Sequence, residues 1–358
     1  MEQFVDQPTS VRNGEALDVG RLEAYLREHL PDAAGTTQIQ QFPSGFSNLT
    51  YLLQVGDREL VLRRPPFGAN IRGGHDMQRE YRILSGLITA YPKVPRPLLY
   101  CDDMAVLGAP FYVMERIQGV ILRTKVPQGL DFGPEQMQRT CLALIGTLVE
   151  LHRFDYAAAG LGDLGKPDGY TARQVRGWTE RYRNARTDEI AAMEQAAAWL
   201  AANIPATIDV ALIHNDYKYD NVVLDPQNLG NIRAVLDWEL ATLGDPLTDV
   251  GTALAYWAEP RDPPPLRMFG VTALPGNLSR QEWVNYYAER SGRDVSNILF
   301  YYVYGLFKNG AIVQQIYARY RKGATQDPRF ANLIELVRVC GDMAVRAIER
   351  GRISGLFA

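Results

Sequence analysis

The sequence predicts an α+β protein in two parts, a small antiparallel-sheet region with one main helix, then a larger and mostly helical region. Three observations carry this. The chain has 358 residues, more than a single hydrophobic core commonly serves. Between Ile39 and Leu62, short apolar runs alternate with turn residues in the manner of a strand meander. Beyond Gly119 the apolar residues fall at helical spacing, interrupted only by a β-rich island from Val210 to Asp237. With 46% apolar, 22% charged and 10% aromatic residues, disordered, collagenous and coiled-coil readings are excluded.

The elements follow in order. Residues 1–17 carry little periodicity, so residues 1–20 are expected as a flexible N-terminal tail. Arg21 to Leu30 places Leu22, Tyr25, Leu26 and Leu30 on one helical face. The meander comprises Ile39–Phe42, Thr50–Val55 and Glu59–Arg63, with Pro43–Asn48 and Gly56-Asp57 as its turns. His75 to Leu87 reads as a helix, and Leu98–Tyr100 and Phe111–Met114 as two further strands. Residues 21–114 therefore form the first region, 115–119 a connector and 120–358 the second. Pro134 to His152 is the strongest helix, with a Gly-Pro start and Met137, Cys141, Leu144, Leu148 and Leu151 on its core face. The island holds strands Ala211–Ile213, Val222–Leu224 and Ile232–Leu236, the last two joined across Asp225–Gly230 as a hairpin. Trp283–Tyr287, Ile298–Ala318 and Asn332–Ile348 are helical again.

The composition narrows the partner. A net charge of -3 implies neither nucleic acid nor an anionic membrane, which leaves a small molecule. Cys101, Cys141 and Cys340 lie far apart without CxxC spacing, against a disulfide framework or thiolate zinc site. Four scattered histidines make no imidazole metal site. No basic leader opens the chain and no apolar run reaches the roughly 20 residues a bilayer span needs, so a cytoplasmic protein is expected.

The chemistry concentrates in the loop His214-Asn-Asp-Tyr-Lys-Tyr-Asp-Asn221, entered from one apolar strand and left by another, followed after the hairpin by Val235-Leu-Asp237. The pattern is HxDxxxxN with a later strand-terminal Asp. Phosphoryl transfer needs a carboxylate to orient an acceptor hydroxyl and take its proton, and an amide oxygen plus a second carboxylate to hold magnesium. Asp216, Asn221 and Asp237 fill those roles in order. Isolated Asp and Asn residues usually make turns and caps, and it is the joint spacing that favours catalysis. His214 reads as a structural residue holding the loop.

Lys218 either reaches a γ-phosphate oxygen as a point charge or stands solvated. The chain's lysines are Lys93, Lys125, Lys166, Lys218, Lys308 and Lys322, so no strand lysine precedes Pro92 to pair the α/β-phosphates. Arg63, on the strand face of Val61 and opposite Leu60 and Leu62, is the natural substitute, with Glu80 as its helix partner. Ser44, Gly45 and Ser47, in the turn between two strands, can lay backbone N–H groups over a phosphate.

These residues resemble the aminoglycoside phosphotransferase and choline kinase branch of the protein-kinase-like fold, over about residues 22–350. Within it the chain is most similar to kinase-like proteins found alone in bacteria or fused to acyl-CoA dehydrogenases, through Leu60-Val-Leu-Arg-Arg-Pro-Pro66, Phe111-Tyr-Val-Met-Glu-Arg-Ile-Gln-Gly119, His214–Asn221 and Val235-Leu-Asp-Trp-Glu-Leu-Ala-Thr-Leu-Gly-Asp-Pro246. The resemblance implies a two-lobed fold with ATP and Mg2+ in its cleft, a nucleotide-binding lobe at 21–114, a hinge at 115–119 and a catalytic, acceptor-binding lobe at 120–358. It also implies that Glu115 and Ile117 hold adenine through backbone groups, and that Asp249 braces the catalytic loop. Two positions depart from the pattern: Asn215 replaces the usual Gly before the catalytic Asp, and Arg63 stands where many phosphotransferases have Lys. Both an active small-molecule kinase and a non-catalytic nucleotide-binding regulator stay open, and the intact Asp216, Asn221 and Asp237 favour the kinase.

From Gly251 onward, 14 Lys+Arg stand against 9 Asp+Glu, whereas residues 1–250 carry 24 against 32. A polycationic aminoglycoside wants an acidic cleft, so this basic region argues against it as acceptor. Tyr256-Trp257, Arg261, Arg267-Met-Phe269, Tyr301-Tyr302 and Arg319–Lys322 suit an anionic or partly apolar alcohol, with a hydroxy acid or hydroxyacyl-CoA as the expected acceptor.

Overall fold

The meander expected from Ile39 onward opens a five-stranded antiparallel sheet in the order β1-β2-β3-β5-β4. The computed structural model describes residues 2–33, 35–43, 48–68, 75–206, 209–323 and 327–357. Helix α1 (Val19–His29) is capped by the Asp18 side chain. Strands β1 (Thr37–Gln41), β2 (Leu49–Val55) and β3 (Arg58–Arg64) follow, then helix α2 (Met77–Leu87), strand β4 (Pro97–Cys101), the short α3 (Met104–Leu107) and strand β5 (Phe111–Glu115). Register pairs Arg63 with Thr50 on β2 and with Tyr112 on β5, placing it on a central strand. Alternation sorts the two faces of β3: Leu60 and Leu62 join Leu22 and Leu26 of α1 in one core cluster, while Arg63 turns the other way. The segment read as a loose tail is tied to the outer strand β1 and its neighbour β2. Thr9 bridges Gln41, the Arg12 N–H donates to the Gln41 side chain, and the Tyr51 hydroxyl donates to the Glu15 carbonyl.

Helices α4 (Pro134–His152), α5 (Tyr170–Ala185) and α6 (Ala191–Ala202) come next, then strands β6 (Ala211–Ile213), β7 (Val222–Asp225), β8 (Asn228–Val235) and β9 (Thr242–Gly244). The β7–β8 turn is tighter than the expected Asp225–Gly230, because Asp225 Oδ1 accepts the Gln227 N–H and Asp225 pairs with Asn228, leaving Pro226-Gln227 as the loop. Strand β9 pairs with β6 and was not anticipated. Helices α7 (Pro246–Ala255), α8 (Arg280–Ser291), α9 (Ile298–Arg321) and α10 (Leu333–Arg350) complete the chain.

Two compact units emerge, and they interleave in sequence. The first comprises residues 1–121, 155–161 and 222–241, so the β7–β8 hairpin belongs with the sheet; Gly119 makes this possible, since a Cβ there would sit 2.3 Å from the Leu224 carbonyl oxygen. The second comprises residues 122–154, 162–221 and 242–358 and is mainly helical. Its centre is α9, packed backbone to backbone on α7: a Cβ on Gly251 would lie 2.1 Å from the Tyr301 carbonyl oxygen, and one on Gly305 2.1 Å from that of Gly251. All three cysteines are buried and unpaired. Among the described residues, no helix is long and apolar enough to cross a membrane.

Candidate active site

In the helical unit, strand β6 delivers the chain into the loop from His214 to Asn221. The first turn of α7 presents Asp249, whose carboxylate accepts the His214 N–H at 2.6 Å and the Asn215 N–H at 2.7 Å. Asp249 is fully buried. Burial works to raise its carboxyl, but hydrogen bonding and charge from His152 and His214 hold it below the usual range. Asn215 has φ +67°, a left-handed conformation that Asn tolerates better than most residues, so the departure from Gly at this position is conformationally permitted. Its side chain meets the Tyr170 hydroxyl, and the next N–H, of Asp216, donates to His214 Nδ1 at 3.2 Å. His214 thus holds the loop from within, as expected.

This bracing aims the Asp216 carboxylate. Lys218 Nζ donates to its Oδ2 at 2.8 Å and Asn221 Nδ2 to the same oxygen at 2.9 Å, while the Tyr256 hydroxyl donates to Oδ1 at 2.7 Å. Burial pushes the Asp216 carboxyl up, yet Lys218, Tyr256 and His214 together hold it lowered, so it stands ionised at neutral pH. Asn221 Nδ2 also donates to the Asp216 carbonyl at 2.8 Å. With its amide nitrogen committed twice, the amide oxygen is the atom left to face a cation. Beside the loop lies a crevice lined by Lys218, Tyr256, Trp257, Phe269 and Thr272. Lys218 Nζ sits 5.0 Å from the Tyr256 ring centroid, and Phe269 packs edge-on against the same ring.

The residues expected to recognise the acceptor divide. Tyr256, Trp257 and Phe269 line this crevice; Tyr301 instead donates to Asp245, and Tyr302 is buried against the Arg280 guanidinium. Part of the basic excess is internal too: Arg280 is fully buried and pairs with Glu259 and Asp262.

In the sheet unit, Arg63 is the hub of a second cluster. Its Nη2 donates to Asp237 Oδ1 at 3.1 Å and to Glu239 Oε2 at 3.3 Å, and its Nε lies 3.5 Å from Glu80 Oε2. The expected Arg63–Glu80 pair is therefore formed, with two further acids around the same guanidinium. Burial pushes the Glu80 carboxyl up against the pull of Arg63. Asp237 has φ +67°, turning its side chain out of the strand just left, and is the most exposed acid of the three. Asn48 Nδ2 donates to Glu239 at 2.6 Å, and His75 meets the Asn48 amide oxygen at 2.8 Å. Glu115 ends β5 with its N–H on the Arg96 carbonyl, and Ile117 lies half-buried just beyond. Ser44, Gly45 and Ser47 fall outside the described residues.

Sequence reasoning assigned no role to Glu239, Asn48 or Tyr170, and did not connect Tyr256 with Asp216. Lys308 entered only as one of six lysines, although it is the sole charged residue from Ile298 to Ala318, a signal that was readable.

An α+β chain with an antiparallel sheet, an HxDxxxxN loop and a following Asp defines a protein-kinase-like phosphotransferase fold. Residues 38–283 match the phosphotransferase enzyme family, and the chain belongs to it. It is 37% identical over 341 residues to acyl-CoA dehydrogenase family member 11 of Gallus gallus, an alignment covering 91% of this chain and 43% of that protein. The chain thus spans less than half the length of the curated relatives it matches. Among solved structures, a Ralstonia eutropha JMP134 protein classed with the aminoglycoside phosphotransferases aligns with TM-score 0.80 at 30% identity, covering 94% of this chain and 99% of its own. Choline kinase from Cryptosporidium parvum Iowa II shares the fold, with TM-score 0.61 at 13% identity and coverage of 95% and 100%.

Proposed function

We propose that the chain is a small-molecule kinase that moves the γ-phosphoryl group of ATP to an alcohol. The observation that supports this most is the Asp216 carboxylate, held ionised by Lys218, Tyr256 and His214 and oriented by the Asn221 amide, on a loop whose N–H groups are locked by Asp249. In the reaction the acceptor O–H gives its proton to Asp216, the oxygen forms a bond to the γ-phosphorus, and the bond from that phosphorus to the β–γ bridging oxygen breaks, releasing ADP. The donor set of Asn221 amide oxygen and Asp237 carboxylate is hard oxygen, as Mg2+ prefers; when bound, Mg2+ would neutralise charge on the phosphates. Arg63 would organise Glu80 and Asp237 and meet phosphate with its remaining N–H groups, Lys218 would offer its charge to the transferred group, and the backbone of Glu115 and Ile117 would take adenine.

For the acceptor, an anionic alcohol such as a hydroxy acid or hydroxyacyl-CoA suits the excess of Lys and Arg from Gly251 onward better than a polycationic aminoglycoside does. A screen of hydroxy acids, hydroxyacyl-CoAs and aminoglycosides scored by ADP release tests both levels. Magnesium-dependent release with an anionic alcohol is the expected result. Tight ATP binding with no release on any alcohol would replace the kinase by a nucleotide-binding regulator.

A further inference from the structure

The Asn215–Asp216 peptide is gripped from both ends by buried charge. Its approach is fixed by Asp249, which accepts the N–H groups of His214 and Asn215, and its carbonyl is fixed by Lys308, whose Nζ donates to the Asn215 oxygen at 2.7 Å. Lys308 lies in the middle of α9 and is 2% exposed. An ammonium that deep gives up most of its hydration unless its surroundings compensate, and methionine would fill similar space without that cost. The two helices bearing the gripping charges, α7 with Asp249 and α9 with Lys308, touch through glycine backbone at Gly251 and Gly305, so their spacing cannot relax. The gripped residue, Asn215, has φ +67°, where a small rotation would swing the following carboxylate.

We propose that Lys308 is a positioning residue of the transfer site: its buried ammonium holds the Asn215 carbonyl, and thereby the left-handed turn that aims Asp216. This rests on Asp216 being the catalytic carboxylate. The charged groups around Lys308 are Asp216 and Lys218 from the loop and Asp249 from α7, and Asp249 is shared with His152 of α4 and with His214. Burial lowers the Lys308 ammonium to about 8, with Lys218 adding to the fall and Asp216 and Asp249 opposing it. Loss of the proton removes the charge from the grip, so turnover should decline above about pH 8 while ATP affinity does not.

The test uses the full chain with lysine-selective 13Cε NMR, which reads six side chains without any acceptor. One signal should titrate near 8, vanish in Lys308→Met, and move to lower pH in Asp216→Asn, because the carboxylate that favours the ammonium is gone. Should Lys308→Met fail to fold, Lys308→Arg removes the same signal. Hydrolysis of Mg-ATP by water provides the kinetic arm: Lys308→Met should lower kcat about tenfold or more, keep the ATP Kd within about twofold, and lose the alkaline decline. A Lys308 signal titrating with the surface lysines and indifferent to Asp216→Asn overturns the proposal. So does Lys308→Met with wild-type turnover and pH profile, provided Asp216→Asn is impaired; if Asp216→Asn is itself unimpaired, the base assignment is what has failed.

Discussion

The two charged clusters of this chain are built in opposite senses. Around Arg63 one cation is surrounded by three acids, Glu80, Asp237 and Glu239; around Asp216 one acid is surrounded by donors, Lys218, Asn221 and Tyr256. The first arrangement carries surplus negative charge, and on the proposed function Asp237, its most exposed acid, would take the divalent cation. In the second, the carboxylate is already compensated, which keeps it ionised and oriented rather than hungry for metal. The contrast predicts a division of labour: the Arg63 cluster governs nucleotide and metal affinity, and the Asp216 carboxylate governs turnover.

The largest effect should come from Asp216→Asn, which keeps shape and removes charge. Positioned acid–base catalysis contributes about 10² to 10⁴-fold, so kcat measured with the acceptor found in the screen should fall by that factor. A wild-type kcat would erase the contrast between the clusters. Arg63 comes next. Arg63→Ala should weaken ATP about 10- to 100-fold, the scale of lost charged hydrogen bonds, and Arg63→Lys should retain part of the affinity because a point charge lacks the bidentate fork. Equal affinity for Arg, Lys and Ala would reduce Arg63 to a structural charge.

The smallest effect concerns the brace behind the loop. His152 is fully buried between Asp249 and the Tyr287 hydroxyl, and burial lowers its pKa below the ordinary 6.5 despite the pull of Asp249. With the folded value depressed, the unfolded chain binds the proton more readily. The stability conferred by neutral His152 is therefore present above about pH 6.5 and lost as pH falls through the lower folded value. Thermal unfolding across pH 4–7 should show His152→Gln, set against wild type, declining less steeply on acidification; parallel curves would remove His152 from the account.

How much of this was legible depended on whether the signal was local. Helix α4 matches its sequence reading from Pro134 to His152 because a proline start and an i+3/i+4 stripe are both written within one element. Helix α6 is rich in alanine and has no clear stripe, and β9 is three residues long and exists by pairing with β6, so neither announces itself. The same rule separates the site. Asp216 and Asn221 were found from their spacing, and the Asp216–Asn221 and Lys218–Asp216 hydrogen bonds stay within five residues. Tyr256 and Lys308 reach the loop across 40 and 93 residues, distances that only tertiary packing closes. Strand alternation placed Arg63 on its face and its guanidinium chemistry suggested Glu80 of the following helix, whereas Glu239 was hidden because its partners Arg63 and Asn48 lie 176 and 191 residues away.

The division of labour is tested most directly by calorimetric titration of ATP into wild type, Asp216→Asn and Asp237→Ala, each with and without magnesium. Asp237→Ala leaves only a neutral amide oxygen where a hard dication wants carboxylate. The account predicts that magnesium strengthens ATP binding equally in wild type and Asp216→Asn and gives no gain in Asp237→Ala. A full magnesium gain in Asp237→Ala, or its loss in Asp216→Asn, would contradict it.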